Sequence, residues 1–427
     1  MVVGLGAYRE VLADREARSF SLAGLVARMP LSMTGLGIVL LVSTSTGSFG
    51  IAGLVAAVGT VAGAVAAPLW GRLIDRVGQA RVLVGAAIIN ALSVLALIAT
   101  IEQNLALPTT LAAAVGIGLG FSSAGASVRA RWTHRLADHP LLNTAFAVEA
   151  MLDEVVFIVG PVLVTFLATS IHPALGLVAC VVLGLTGAVF LAAQRGTQPP
   201  VGHRHAEKSQ RARISIARLL PITLASVAIG SIFGGMEVVV VAFARSAGVE
   251  RFTGLMLLAW AFGSLLSGLI VGTIAWKSSP GKRFRISAVL LALSTVPLPF
   301  VDSPLLVGLL LVVSGFAISP TMIASVAVAR TAVPPSRLTE AFGWISTGLA
   351  AGLAAGAVGV GHLIDGFGAQ SGFWGVVVAG GALIATTLLI STRQPLAGAM
   401  DEMPTLTDRL DTSAAEQARS EAQNPST

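Results

Sequence analysis

One apolar run of the chain, 142–169, carries three carboxylates, Glu149, Asp153 and Glu154. Glu149 and Asp153 are four residues apart and share a helix face, while Glu154 points some 100° away. Counted from Leu142 at about 1.5 Å per residue, Glu149 lies roughly 10 Å along that helix, and Asp153 and Glu154 about 17 Å. Carboxylates clustered in a low-dielectric setting repel one another and lose hydration, so they share protons rather than all ionising. Arg28 stands about 14 Å along another apolar run, 19–44. Two roles are open to Arg28, Glu149, Asp153 and Glu154: a proton-coupling site, or ion pairs with Arg28 that only hold helices together.

A further carboxylate, Glu237, follows Gly234-Gly235 in the run 218–244. Adjacent glycines loosen a helix, and a carboxylate just beyond them suits a cationic or polar substrate in a cavity; the alternative is a wetted Glu237 paired with Arg245. Phe233, Trp260, Phe262 and Trp344 supply either an aromatic cavity wall for a lipophilic ligand or ordinary packing. His362 and Asp365 are expected at the membrane interface. No phosphate-cradling G-x-x-x-x-G-K-[ST] and no G-x-S-x-G elbow occurs, and His203 and His205 have no third ligand at metal spacing. Cys180 is alone, so no disulfide forms within the chain. Neither enzymatic catalysis, nor a cofactor, nor a metal is expected.

The elements that position these groups must be membrane helices. Of the 427 residues, 55% are hydrophobic and 11% charged, and the mean hydropathy is +0.85; a soluble globule carries about 25% charge. Twelve runs reach the roughly 20 residues a spanning helix needs: 19–44, 49–70, 82–101, 107–130, 142–169, 173–194, 218–244, 252–276, 285–301, 304–329, 338–364 and 371–392. Apolar content persists across Pro68 and Pro161, so neither is expected to end a helix. The runs lack period-two alternation, which excludes barrel strands.

Charge falls on one set of connections. These hold Arg72, Arg76 and Arg81 against Asp75; Arg129, Arg131 and Arg135 against Asp138; and, in the third, Arg195, Arg204, Lys208, Arg211, Arg213 and Arg218 against Glu207. Lys277, Lys282, Arg283 and Arg285, then Arg330 and Arg337 against Glu340, continue the set. The opposite set holds Arg245 and Arg251 against Glu102, Glu250, Asp302 and Asp365. The positive-inside rule makes the first set and both termini cytoplasmic. The basic loops are short and lack interleaved aromatics, so nucleic acid is not an expected partner. The organisation is a cytoplasmic N-terminus (1–18), a six-helix bundle (19–194), a cytoplasmic linker (195–217), a second six-helix bundle (218–394) and a disordered tail (395–427).

The halves echo each other. Leu142-Asn143-Thr144-Ala145-Phe146 and Leu338-Thr339-Glu340-Ala341-Phe342 open spans five and eleven, and Gly71-Arg72-Leu73-Ile74-Asp75 matches Gly361-His362-Leu363-Ile364-Asp365 at the ends of spans two and eleven. Inverted three-helix repeats would make those last two spans equivalent. Small residues at Gly116, Gly118 and Gly120, and at Gly352 and Gly356, allow close helix approach.

Gly71, Leu73, Asp75, Arg76 and Gly78 fit the pattern G-x-L-x-D-R-x-G-R/K-R/K between the second and third spans, with Gln79 and Ala80 at the basic positions and Arg81 following. In this the chain resembles the major facilitator superfamily. The resemblance implies an all-α membrane protein of two pseudo-symmetric six-helix bundles rocking about a central site, and an Asp75 contact that latches the outward-facing state. Ala27-Arg28-Met29-Pro30, Leu152 to Pro161 and Val333 to Glu340 resemble bacterial efflux-type members. Gly160-Pro161 resembles the antiporter motif of such members, with Val164 and Thr165 where later glycines stand; Val115 and Ile117 occupy the places in span four where many proton-driven members have Arg. The expected function is proton-coupled efflux of small organic molecules across the cytoplasmic membrane, by a monomer whose partners are substrate, H+ and lipid. Uptake of a sugar or organic acid by symport is the alternative, and a non-transporting sensor a third reading.

Overall fold

The computed structural model describes residues 5–121, 123–136, 139, 141–200, 216–272, 278–332 and 338–390. They form α1 (Leu5–Ala13), α2 (Arg15–Arg28), α3 (Pro30–Thr46), α4 (Phe49–Val77), α5 (Gln79–Glu102), α6 (Leu107–Leu119), α7 (Ala124–Arg135) and α8 (Leu142–Ser170). There follow α9 (Leu175–Ala193), α10 (Ile216–Ser246), α11 (Thr253–Gly272), α12 (Pro280–Thr295), α13 (Pro304–Gly315), α14 (Ile318–Ala332), α15 (Leu338–Phe367) and α16 (Ser371–Leu388). Twelve spans are long and apolar enough to cross a membrane, with α2 and α3, α6 and α7, and α13 and α14 each sharing one. No strand occurs among the described residues. Most of the linker and the tail lie outside them, as does the Val333–Arg337 stretch of the resemblance.

Pro68 and Pro161 stay inside α4 and α8, as expected. Three spans expected to be continuous are broken instead, each with a local cause. Pro30 opens α3 and has no N–H to continue α2, so Met29 N–H closes the last turn on the Val26 carbonyl at 3.3 Å. At Gly120 the Asn90 side chain donates to the Ile117 carbonyl at 2.9 Å, satisfying a group the break frees inside the bundle. At Gly315 a Cβ would lie 2.1 Å from the Trp260 carbonyl oxygen, so the second half closes tightly around this third break.

Span boundaries also move. The first begins at Arg15 rather than 19, because Asp14 caps it, accepting from the Glu16 and Ala17 N–H groups. Burial works to raise the Asp14 carboxyl, but hydrogen bonds from Arg135, Ala17 and Glu16 outweigh it and hold the group below its usual value. The fourth span runs to Arg135 rather than 130, so Arg129, Arg131 and Arg135 are helical residues and not loop charges. Helices α2–α9 form one half and α10–α16 the other; between them α4 packs on α15 and α8 on α11.

Candidate functional site

The first half converges on Arg28, the last residue of α2. Gly24 lets α2 approach α7 closely: a Cβ there would meet Val128 Cγ2 at 2.4 Å. Arg28 Nε donates to the Gly24 carbonyl at 3.0 Å, which aims the guanidinium at α8. There Nη2 donates to Glu149 Oε2 and Nη1 to Asp153 Oδ1, both at 2.7 Å. Glu149 is 0% exposed, and its other oxygen accepts from Ser21 Oγ at 2.6 Å and Trp132 Nε1 at 2.9 Å. Asp153 is 28% exposed and gives its second oxygen to Arg129 Nη2 on α7. The shared face expected for Glu149 and Asp153 is therefore present, with Arg28 as its partner.

Glu154 stands apart from this cluster, half-buried and without a hydrogen bond or ion pair among the described residues. It lies seven residues before Pro161, on the same face of α8. That face meets the other half: a Cβ on Gly254 of α11 would lie 2.7 Å from the Pro161 carbonyl oxygen. Gly160 faces α3 instead, where Ser32 Oγ sits 2.0 Å from the place a Cβ would take. The Gly160-Pro161 pair thus divides its contacts between the two halves.

Glu237 of α10 also meets the other half, its Oε1 lying 3.1 Å from where a Cβ on Gly35 would be. It forms no ion pair among the described residues; the expected alternative partner, Arg245, pairs with Glu250 at 2.6 Å and donates to Thr44 Oγ1 at 2.7 Å. Phe233, one turn before Glu237, stacks edge-on with Trp260 at 5.3 Å. Trp344 and Phe262 are exposed and join neither ring. The expected aromatic set reduces to Phe233 and Trp260 beside the carboxylate.

The 71–81 motif lies at the end of the bundle that bears the termini. Asp75, Arg72 and Arg76 are exposed there, and nothing lies within 4 Å of a Cβ on Gly71. Gly78 takes φ +94°, which explains a glycine at that position of the turn. Gln79, where the family pattern has a basic residue, is buried and accepts from Arg131 Nε at 2.8 Å. Arg131 is 0% exposed; it also donates to the carbonyls of Leu191 and Gln194 and to Thr197 Oγ1, closing the end of α9. A second cation at 79 would face that guanidinium. Arg131→Met should lower the melting temperature of the detergent-solubilised protein, at about 1–3 kcal/mol for each acceptor left buried and unpaired. Sequence reasoning missed Arg129 and Arg131, because charges near a span's end read as loop charges until the helix is seen to continue.

The halves touch at the end away from the termini, here called distal. The face of α4 that meets α15 is buried at Gly53 and Ala57, half-buried at Thr60 and Ala64, and exposed at Ala67 and Asp75. A Cβ on Gly53 would lie 2.3 Å from the Ala357 carbonyl oxygen, and one on Gly361 2.4 Å from that of Phe49. Among the described residues, the hydrogen bonds between halves are those of Arg245 with Thr44 and of Asp365 with Ser48, Phe49 and Gly50. Asp365 is thus an inter-half contact rather than an interfacial charge alone. The two bundles close distally and part toward the termini.

A family model described as Major Facilitator Superfamily matches residues 20–312 and 251–406. No curated protein sequence matches the chain. Among solved structures, the nucleoside transporter NupG superposes with a TM-score of 0.67 at 14% identity, covering 88% of this chain and 98% of that one. A bacterial homologue of the human lysosomal transporter Spinster, inward-facing and occupied, gives 0.65 at 13% identity over 90% and 96%. The human organic anion transporter MFSD10 (TETRAN) gives 0.58 at 15% identity over 88% and 100%.

Proposed function

The chain belongs to the Major Facilitator Superfamily, and we propose that this membrane transporter is a proton-coupled exporter of small, moderately lipophilic organic molecules. It works by alternating access in the cytoplasmic membrane, as a monomer, with both termini cytoplasmic. The observation that carries the reading is the α8 carboxylate set. Asp153 holds two guanidinia from α2 and α7, Glu154 is unpaired on the face that meets the other half, and both are partly exposed. Glu149 is enclosed by Arg28, Ser21 and Trp132, which supports a structural role for it and leaves Asp153 and Glu154 to exchange protons. A proton arriving on Asp153 cancels the charge that draws Arg28 and Arg129 together and so loosens α8 against α2 and α7. Glu237, with Phe233 and Trp260 beside it, offers a cationic or polar group of the substrate a carboxylate and two rings.

The test is uncoupler-sensitive accumulation of labelled drugs and sugars in efflux-deficient cells, comparing the native protein with Asp153→Asn/Glu154→Gln. Accumulation lowered by the native protein, restored by uncoupler and unaffected by the double variant, is the expected result. Raised accumulation of a solute by the native protein makes it an importer. Equal export by native and double-variant proteins removes the carboxylates from the coupling step.

A further inference from the structure

We propose that Asp365 is the residue that holds the distal gate shut, by capping a helix of the opposite half. The inference rests on the alternating-access reading above. Asp365 is placed near the end of α15, yet its hydrogen bonds among the described residues all leave its own half. Its Oδ1 accepts from Phe49 N–H at 2.7 Å; its Oδ2 accepts from Gly50 N–H at 2.8 Å and from Ser48 Oγ. A role in stabilising its own bundle would require partners there, and none occurs among the described residues.

The cap completes an account of the first turn of α4. A helix begins with four N–H groups that have no partner inside it, and its N-terminus favours negative charge. Ser48 N–H finds Thr46 Oγ1 at 3.2 Å and Ile51 N–H finds Ser48 Oγ at 3.0 Å. The other two, Phe49 and Gly50, find Asp365. One half of the protein therefore finishes a helix end of the other, and only while the gate is closed; opening passes those two N–H groups to water. Close approach is built in, because Gly361 one turn earlier lets α15 come against the Phe49 carbonyl and Gly53 admits Ala357. Arg245, 5.2 Å from the Phe49 ring and bonded to Thr44, adds a second tie from α10 to the same corner. The Gly-x-Leu-Ile-Asp spacing shared by 71–75 and 361–365 gives α4 and α15 an aspartate each at the end where its partner helix begins. Among the described residues, the distal one has hydrogen bonds to the other half and Asp75 has none.

The test places spin labels at Ser45→Cys and Phe367→Cys, both exposed distal positions, in a Cys180→Ala background of the full chain in lipid nanodiscs. Asp365→Asn turns an amide NH2 toward one of three donors, and Asp365→Ala removes the acceptor; each should raise the ratio of long to short inter-label distances about tenfold. Asp365→Glu should recover part of the closed population, and Ser48→Ala should shift it less than either, since both backbone N–H groups keep the carboxylate. Distance distributions unchanged in Asp365→Asn and Asp365→Ala, in monodisperse protein of parental melting temperature, overturn the proposal. Gly53→Val in the same background separates the two ideas: if it lengthens the distances while the Asp365 variants do not, the gate moves but Asp365 does not hold it. If none of the variants moves the labels, the alternating-access reading falls as well.

Discussion

Arg28→Met is expected to abolish transport and to lower the melting temperature of the solubilised protein by about 10 °C. The guanidinium is 5% exposed and is the cation bonded to Glu149, which is 0% exposed. Removing one partner of a buried pair costs about 3–5 kcal/mol, because the other charge is left uncompensated. At about 2–4 °C per kcal/mol for a unit of 150–250 residues, that cost gives the expected shift. Arg28→Lys should recover only part of it, since one ammonium cannot reach two carboxylates through separate, fixed donors as Nη1 and Nη2 do. The decisive variant is Arg28→Met/Glu149→Gln. It removes both members of the enclosed pair and should restore most of the melting temperature, while transport stays absent because Asp153 still lacks one of its two guanidinia. Melting restored together with transport would make the whole cluster structural, and melting unchanged in Arg28→Met would mean that the pair contributes nothing net.

How far these contacts were legible in the sequence depends on how far apart the partners are and of what kind. The shared face of Glu149 and Asp153 follows from a spacing of four within one helix, and an ionisable residue at similar depth in another span suggests Arg28 as a partner. The family pattern around Asp75 and the twelve apolar runs are local signals; the helices bear out the runs, and the family model bears out the family. Arg129 and Arg131 were hidden by the boundary itself. The polar run Arg129-Ala130-Arg131 reads as the end of a span, whereas α7 continues to Arg135 and turns one guanidinium to Asp153 and the other to Gln79 and the end of α9. Asp365 was hidden differently. Its partners include backbone N–H groups 315 and 316 residues away, and any residue type supplies those. The trace it left was the repeated Gly-x-Leu-Ile-Asp, which marks equivalence of two helix ends without saying which is occupied. The broken spans had only partial signals: Pro30 announces its break, while Gly120 and Gly315 look like any other small residue in a membrane helix.

Those small residues carry the second large effect. Gly53→Val should leave each half folded and stop transport by keeping the distal gate from closing. A Cβ at 53 would stand 2.3 Å from the Ala357 carbonyl oxygen, and the obstacle is backbone in the middle of a helix, which cannot turn aside as a side chain can. Relief requires α4 and α15 to separate, which also pulls Asp365 from Phe49 and Gly50 and Gly361 from the Phe49 carbonyl. Overpacking of this kind costs about 1–3 kcal/mol, enough to move a two-state ratio by about fivefold to somewhat over a hundredfold. Because the strain exists only in the closed arrangement, the cost falls on one conformer and not on folding, so the melting temperature should change little while the distal ends open. Gly359→Ala is the control: it lies on the same helix as Ala357 and Gly361, and nothing stands within 4 Å of its Cβ position. It should transport at the native rate, and equal loss of transport in Gly359→Ala and Gly53→Val would mean that α15 tolerates no added side chain in this stretch, rather than that the two helices must meet at Gly53.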